Sequence, residues 1–375
     1  MAAEILLPDS APFALELHRA VSSGGNSVVS PYSAACAISL AYLGARGETA
    51  RDIERALRGL AGPGCHARHR SAADLLREPG GVEVRSANAV WVQRGLRMLA
   101  PFAEGARGFY DAPLEAVDFA GDPESSANRI NSWAREATAG RTPDLVGRLS
   151  PETRLVLTNA VYLKCRWAQP FSSALTYRGD FRLLDGSRIE TPLMFKTLDV
   201  PFRDEAEARV VALPYAGGRF HMVLALPKSP DFRAFEERLI ASTLSGWIDL
   251  CGEPVTTIDV SLPRLHLAFS ASLNGPLASL GMARAFGPDA DFTGITGPVD
   301  PENRLLISSV LQKSLLDVDE EGTEAAAATA VMLASFDACA PTKRPSFYVD
   351  RPFLFAVVDA ATRTVLFLGR VEDPR

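Results

Sequence analysis

Residues 319–335 read Asp-Glu-Glu-Gly-Thr-Glu-Ala-Ala-Ala-Ala-Thr-Ala-Val-Met-Leu-Ala-Ser, and the reading of that stretch decides the fold. One reading is a helix, since alanine has the best helix propensity and Thr323 is a competent N-cap. The two-residue period of a strand gives another. One face then carries Thr323, Ala325, Ala327, Thr329, Val331 and Leu333, and the other carries Glu324, Ala326, Ala328, Ala330, Met332 and Ala334. The first face has no charge and starts with small groups, so it can enter a packed sheet without desolvating an ion. The second tolerates water. A segment able to stay out as a loop and also go in as a strand meets the requirement of a conformational trap.

Two more stretches lie just beyond it. Phe347-Tyr348-Val349-Asp350-Arg351-Pro352-Phe353-Leu354-Phe355 comes first, and Leu366-Phe367-Leu368-Gly369-Arg370-Val371 closes the chain. At this spacing, near the end of 375 residues, the three together resemble the serpin family: the hinge of its reactive-centre loop, its C-terminal signature and its closing strand. The chain resembles, across its full length, the intracellular branch and its poxviral relatives.

Composition agrees. Apolar residues at 47% and charged residues at 22% describe an ordinary globular protein. A net charge of −6 gives no reason to expect nucleic acid or an anionic membrane as partner. The N-terminus lacks the pattern of a signal peptide, and no apolar run is long enough to span a membrane. Cys36, Cys65, Cys165, Cys251 and Cys339 are odd in number and unpaired in spacing, which argues against a disulfide framework. A cytoplasmic protein is expected.

In chain order, residues 9–21 have helical spacing, and 26–33 read as a strand entering a helix with Pro31 in its first turn. Thr49 is expected to cap the next helix. Residues 60–81 look irregular. Residues 82–93, 114–119 and 154–164 read as strands, 122–138 as an amphipathic helix, and 210–214 with 220–226 as a hairpin around Gly217-Gly218. A helix is expected over 231–244, a strand over 258–264, a helix over 271–281 and a long strand over 305–318. Strand-forming segments interleave with helices without repeat or linker, so residues 1–375 are expected to form one α+β domain.

Enzyme motifs are missing. The chain has no Gly-x-Ser-x-Gly, no phosphate-binding glycine loop and no His-Glu-x-x-His. Cys65-His66-Ala67-Arg68-His69-Arg70 is a poor zinc motif without a second ligand cluster, and reads as a solvated helix face ahead of a sulfated-glycan site. No metal or cofactor is expected.

The resemblance implies the rest: a serpin fold of three β-sheets and about eight to nine helices, with an exposed reactive-centre loop over about 320–346. The implied activity is suicide inhibition of a protease, which is trapped as a covalent acyl complex by a monomer. The alternative is a non-inhibitory carrier or chaperone of the same fold, whose members tend to carry charged or bulky residues where this chain has Thr323 and Ala325 to Ala328. The implied hinge is Glu320, Glu321, Gly322, Thr323, Glu324, Ala325, Ala326, Ala327 and Ala328, with Thr323 the first side chain buried on entry. The implied shutter is Ser30, Pro31, Ser33, Asn159 and Gln312, where Gln312 stands in place of the histidine usual in the family. The implied breach is Trp167, Arg264 and Glu320, with a salt bridge between the last two. Counting from Gly322 places the bait bond between Phe336 and Asp337, which suits a chymotrypsin-like enzyme. The bond between Asp337 and Ala338 is the alternative, similar to the bait of the poxviral inhibitor of caspases and granzyme B.

Overall fold

The computed structural model describes residues 8–22, 24–76, 82–137, 144–298, 304–323 and 344–375. The fold is laid around β4 (Leu155–Arg166). Its alternation sends Leu155, Leu157, Val161 and Leu163 into the main core, while Val156 joins a smaller cluster with Trp91 and Ile130. Both faces are apolar because both are covered, one by α2 (Pro31–Tyr42) and the other by α6 (Pro123–Ala137). Helix α2 starts where the Ser30 hydroxyl accepts the Ser33 amide and Pro31 fills the first turn. Its small Ala, Ser and Cys residues are buried from Pro31 to Ala41, which lets the sheet lie close.

β4 sits in a six-stranded sheet. On one side is β2 (Val82–Gln93), antiparallel, followed by β3 (Leu114–Val117). On the other side is β11 (Ser309–Val318), and beyond it the edge strand β10 (Leu265–Ser272). β4 and β11 run parallel and pair directly from Ser309 opposite Val156 to Leu315 opposite Tyr162. Above that seam the two-residue β12 (Gly322–Thr323) turns back between them.

The second network has nine strands in the order β1 (Ser27–Val29), β15 (Thr364–Val371), β14 (Phe353–Asp359), β8 (Phe220–Pro227), β7 (Ala208–Pro214), β6 (Arg188–Asp204), β9 (Val255–Pro263) and β13 (Ser346–Tyr348), with β5 (Tyr177–Arg182) paired to β6. β6 is shared: Phe202–Asp204 pair with β7, and Leu193–Pro201 pair with β9. The three expected sheets are therefore present, two of them joined through β6. Ten α-helices occur among the described residues, of which α9 (Asn274–Leu277) and α10 (Thr293–Thr296) are single turns.

Several local expectations are corrected. Residues 60–81 contain α4 (Cys65–Leu76), which buries Cys65, His69, Ala72 and Leu76 at helical spacing. The helix expected over 231–244 is two, α7 (Phe232–Arg238) and α8 (Ala241–Asp249), because Leu239 is extended at ψ 128°; Gly246 lies inside the second. The helix expected over 271–281 starts later: β10 runs to Ser272, with Leu265 and Leu267 pointing in and His266 and Ala268 out. The helical turns begin with α9 and continue over Ala278–Met282, kinked at Gly281. Thr49 caps nothing: α3 (Gly47–Ala56) starts after Arg46, and the Thr49 hydroxyl accepts the Asp291 amide. β11 begins at Ser309, and Leu305 and Ile307 are buried without strand pairing.

Candidate functional site

The polar residues of the α2-facing side of the six-stranded sheet gather at the seam. Asn159 shares its parity along β4 with Leu157 and Val161, and Gln312 shares its parity along β11 with Val310 and Leu316, so both face α2. They are register partners. Gln312 Nε2 donates to Asn159 Oδ1 at 3.2 Å and to the Ser30 carbonyl at 2.9 Å, while the Ser30 amide donates to Gln312 Oε1 at 3.0 Å. Asn159 Nδ2 donates to Asn88 Oδ1 at 2.8 Å and also to the Ser33 hydroxyl. The Ser30 hydroxyl donates to the Leu366 carbonyl at 2.6 Å, which ties the cluster to β15. Every member is buried, so each bond satisfies a group that water cannot reach. Asn88, the register partner of Asn159 on β2, was not singled out from the sequence. Its signal was faint: of the three amides only Asn159 sits in a nearly continuous apolar strand, while β2 also carries Glu83, Arg85 and Ser86, and β11 carries Lys313, Ser314 and Asp317.

The upper end of the seam holds β12. Gly322 has φ +154°, and a Cβ there would lie 2.0 Å from the Cys165 carbonyl oxygen, so only glycine fits. Thr323 stands opposite Cys165 on one side and Val318 on the other. Its side chain is fully buried, and Thr323 Oγ1 lies 2.6 Å from Tyr215 Oη. This corrects the expectation that Thr323 is buried only when the loop enters. Tyr215 is stacked on Trp167 with ring centres 4.7 Å apart. Trp167 Nε1 donates to the Asp319 carbonyl at 2.9 Å, and its backbone amide donates to the Glu321 carbonyl at 2.9 Å. Tyr215 was also missed, because a lone aromatic in a hairpin turn has no pattern to mark it.

The acidic turn is pinned through each residue. Asp319 Oδ1 accepts the amides of Glu321 at 2.9 Å and Gly322 at 3.1 Å. The Glu320 carboxylate takes a fork from Arg264, with Nη2 at 2.6 Å from Oε1 and Nε at 3.0 and 3.1 Å from the two oxygens, plus the Thr176 hydroxyl at 2.5 Å. Burial alone would raise the Glu320 carboxyl, but hydrogen bonds from Arg264 and Thr176 outweigh it, and the net shift is downward. The Asp319 carboxyl is raised, chiefly by burial, against the two amides it accepts.

Glu324, Ala325, Ala326, Ala327, Ala328, Phe336, Asp337 and Ala338 lie outside the described residues. The 66–70 stretch is not a face of four solvated bases. His66 Nδ1 meets Tyr110 Oη at 2.6 Å, His69 Nε2 meets Ser39 Oγ at 2.9 Å, and burial pushes both imidazoles down to about 4. Arg70 is matched by Asp74 and Asp111. Among the described residues no group of three His, Cys, Asp or Glu side chains is placed to hold a metal ion, Cys36, Cys65, Cys165 and Cys251 are free thiols, and no helix is long and apolar enough to cross a membrane.

Comparison with known proteins places this geometry. The family model described as "Serpin (serine protease inhibitor)" matches residues 9–374. An uncharacterized serpin-like protein of Thermococcus kodakarensis is 37% identical over 97% of this chain and 84% of its own. The leukocyte elastase inhibitor of Sus scrofa is 34% identical over 96% of this chain and 97% of its own. Among solved structures, the thermophilic serpin tengpin in its native state superposes with a TM-score of 0.88 at 27% identity, over 98% of this chain and 94% of its own.

Proposed function

The chain belongs to the serpin family, and we propose that it is a suicide-substrate inhibitor of a chymotrypsin-like serine protease. The observation that carries this reading is β12: an antiparallel wedge already started between two strands that pair parallel below it. A protease serine attacks the Phe336 carbonyl, the peptide bond to Asp337 breaks, and the Phe336 acyl group stays on the serine as an ester. The freed strand then extends from β12 down the seam, carrying the enzyme with it. The fourteen residues from Thr323 to Phe336 reach roughly 46 Å at about 3.3 Å each, enough to cross most of the sheet. The uncharged face of Thr323, Ala325, Ala327 and Thr329 is what such an insertion requires.

The test is incubation with elastase, cathepsin G, chymotrypsin, granzyme B and a caspase panel, followed by denaturing gels and mass spectrometry of the released C-terminal peptide. A denaturant-stable complex with a chymotrypsin-like enzyme and a new N-terminus at Asp337 is the expected result. Caspase or granzyme B inhibition with an N-terminus at Ala338, lost in Asp337→Ala and kept in Phe336→Ala, moves the bait bond to the alternative. Cleavage by every enzyme without a stable complex overturns the inhibitory reading.

A further inference from the structure

We propose that Tyr215 is a positioning residue that seats the hinge through the Thr323 hydroxyl, so that the loop's stem is held two residues into the sheet before any protease arrives. This deepens the inhibitory reading and rests on it only for its consequence, since the seat is a property of the uncleaved molecule.

Three features build the seat. Tyr215 has no exposed surface, and its only polar side-chain atom is directed at Thr323 Oγ1 at 2.6 Å. Trp167 fixes the ring, stacked on it with planes 5° apart, and is itself fixed by the carbonyls of Asp319 and Glu321. The backbone around Gly322 is too tight for any side chain, so only the 323 side chain can be read. A buried phenol facing a buried hydroxyl is left unsatisfied, as the hydroxyl is in its turn, when its partner is removed. The site therefore selects for a hydroxyl at 323 and not simply for a small residue. Valine has the shape of threonine and should be rejected; serine is smaller and should be accepted.

The consequence is a two-position stem. Seated, insertion starts with its first residues already in register; withdrawn, the stem must first find the slot. Losing one hydrogen bond of ordinary strength shifts the balance towards withdrawal by roughly fivefold.

The experiment is amide hydrogen exchange over residues 319–323 in the full-length, uncleaved protein, with no protease present. Tyr215→Phe and Thr323→Val should each speed exchange there by roughly fivefold, the magnitude of one hydrogen bond. The double variant should be no faster than either single one, and Thr323→Ser should exchange like the parent. A merely structural role for residue 323 would reverse the order of valine and serine. If Tyr215→Phe disturbs the fold, as thermal unfolding will reveal, the Val and Ser comparison at 323 decides on its own. Parent-like protection in Thr323→Val overturns the seat, whether or not the protein inhibits any protease. A protein with the seat but no stable protease complex would instead refute the inhibitory reading alone.

Discussion

Gln312 and Asn159 face each other across two parallel strands and share one hydrogen bond, Nε2 to Oδ1 at 3.2 Å, over a helix whose N-cap, Ser30, grips the same glutamine twice. This is the polar centre of the seam. Gln312→Ala would leave the Ser30 amide, the Ser30 carbonyl and Asn159 Oδ1 each short of a bond inside the core. At about 1–3 kcal/mol for a stranded buried group, with partial relaxation, the expected loss is about 3 kcal/mol. Chemical denaturation measures it, and a loss below ~1 kcal/mol would mean that the cluster repairs itself.

The fork between Arg264 and Glu320 gives a smaller effect with a salt signature. Glu320 is nearly buried, but the Arg264 side chain is about half exposed, so solvent screens the pair. Arg264→Ala is expected to cost about 1 kcal/mol, less at high ionic strength. Exchange protection should fall over 319–323 and stay unchanged over 155–161. Equal loss in both segments would assign Arg264 to general stability instead of the top of the seam.

Register makes a prediction for the cleaved protein. Thr323 stands opposite Cys165 and Val318. Six residues further, continued antiparallel pairing brings Thr329 opposite Asn159 on one strand and Gln312 on the other. A crystal structure after cleavage in the loop should find Thr329 between these two amides, their mutual hydrogen bond broken. Any other residue at that level would mean that β12 does not set the register.

Acid should weaken the protein through α4. His69 is buried against Ser39 and Cys36, and its imidazole is held down at about 4, first by burial and then by His66. Its pKa in the folded state is below the ordinary 6.5, so the unfolded chain binds the extra proton first. Stability from this group is complete above about 6.5 and is lost as pH falls towards about 4, on the order of 3 kcal/mol over that window. Melting temperatures across pH 4–7 should fall with acid, and His69→Gln should flatten the slope. His66 and His221, also held down by burial, contribute to the part that remains.

Much of this was legible in the chain. β4 announces itself because both faces are covered, so its apolar run is nearly continuous, and β2 announces itself by its alternation. Pro31 marks α2, and the hinge glycine marks its own slot. The errors have physical causes. β10 is an edge strand with one wet face, and its tail of Ala, Phe and Ser looks as helical as strand-like. The gap between α7 and α8 falls at Leu239 and Ile240, good helix formers held extended by the packing of Leu239. Asn88 and Tyr215 are single residues whose meaning comes from partners 71 and 108 positions away, beyond any local pattern.

The parallel pairing of β4 with β11 also makes time a property of the molecule. Seven facing pairs, from Ser309 and Val156 to Leu315 and Tyr162, close the path along which β12 would lengthen. On the inhibitory reading, replacing that one ladder with two antiparallel ones leads downhill, so the uncleaved form lasts only as long as the seam resists parting. Its endurance is then a rate and not a depth. Substitutions that tighten those seven pairs should extend storage life and slow capture together, and a relative working at high temperature would have to settle that conflict strand pair by strand pair.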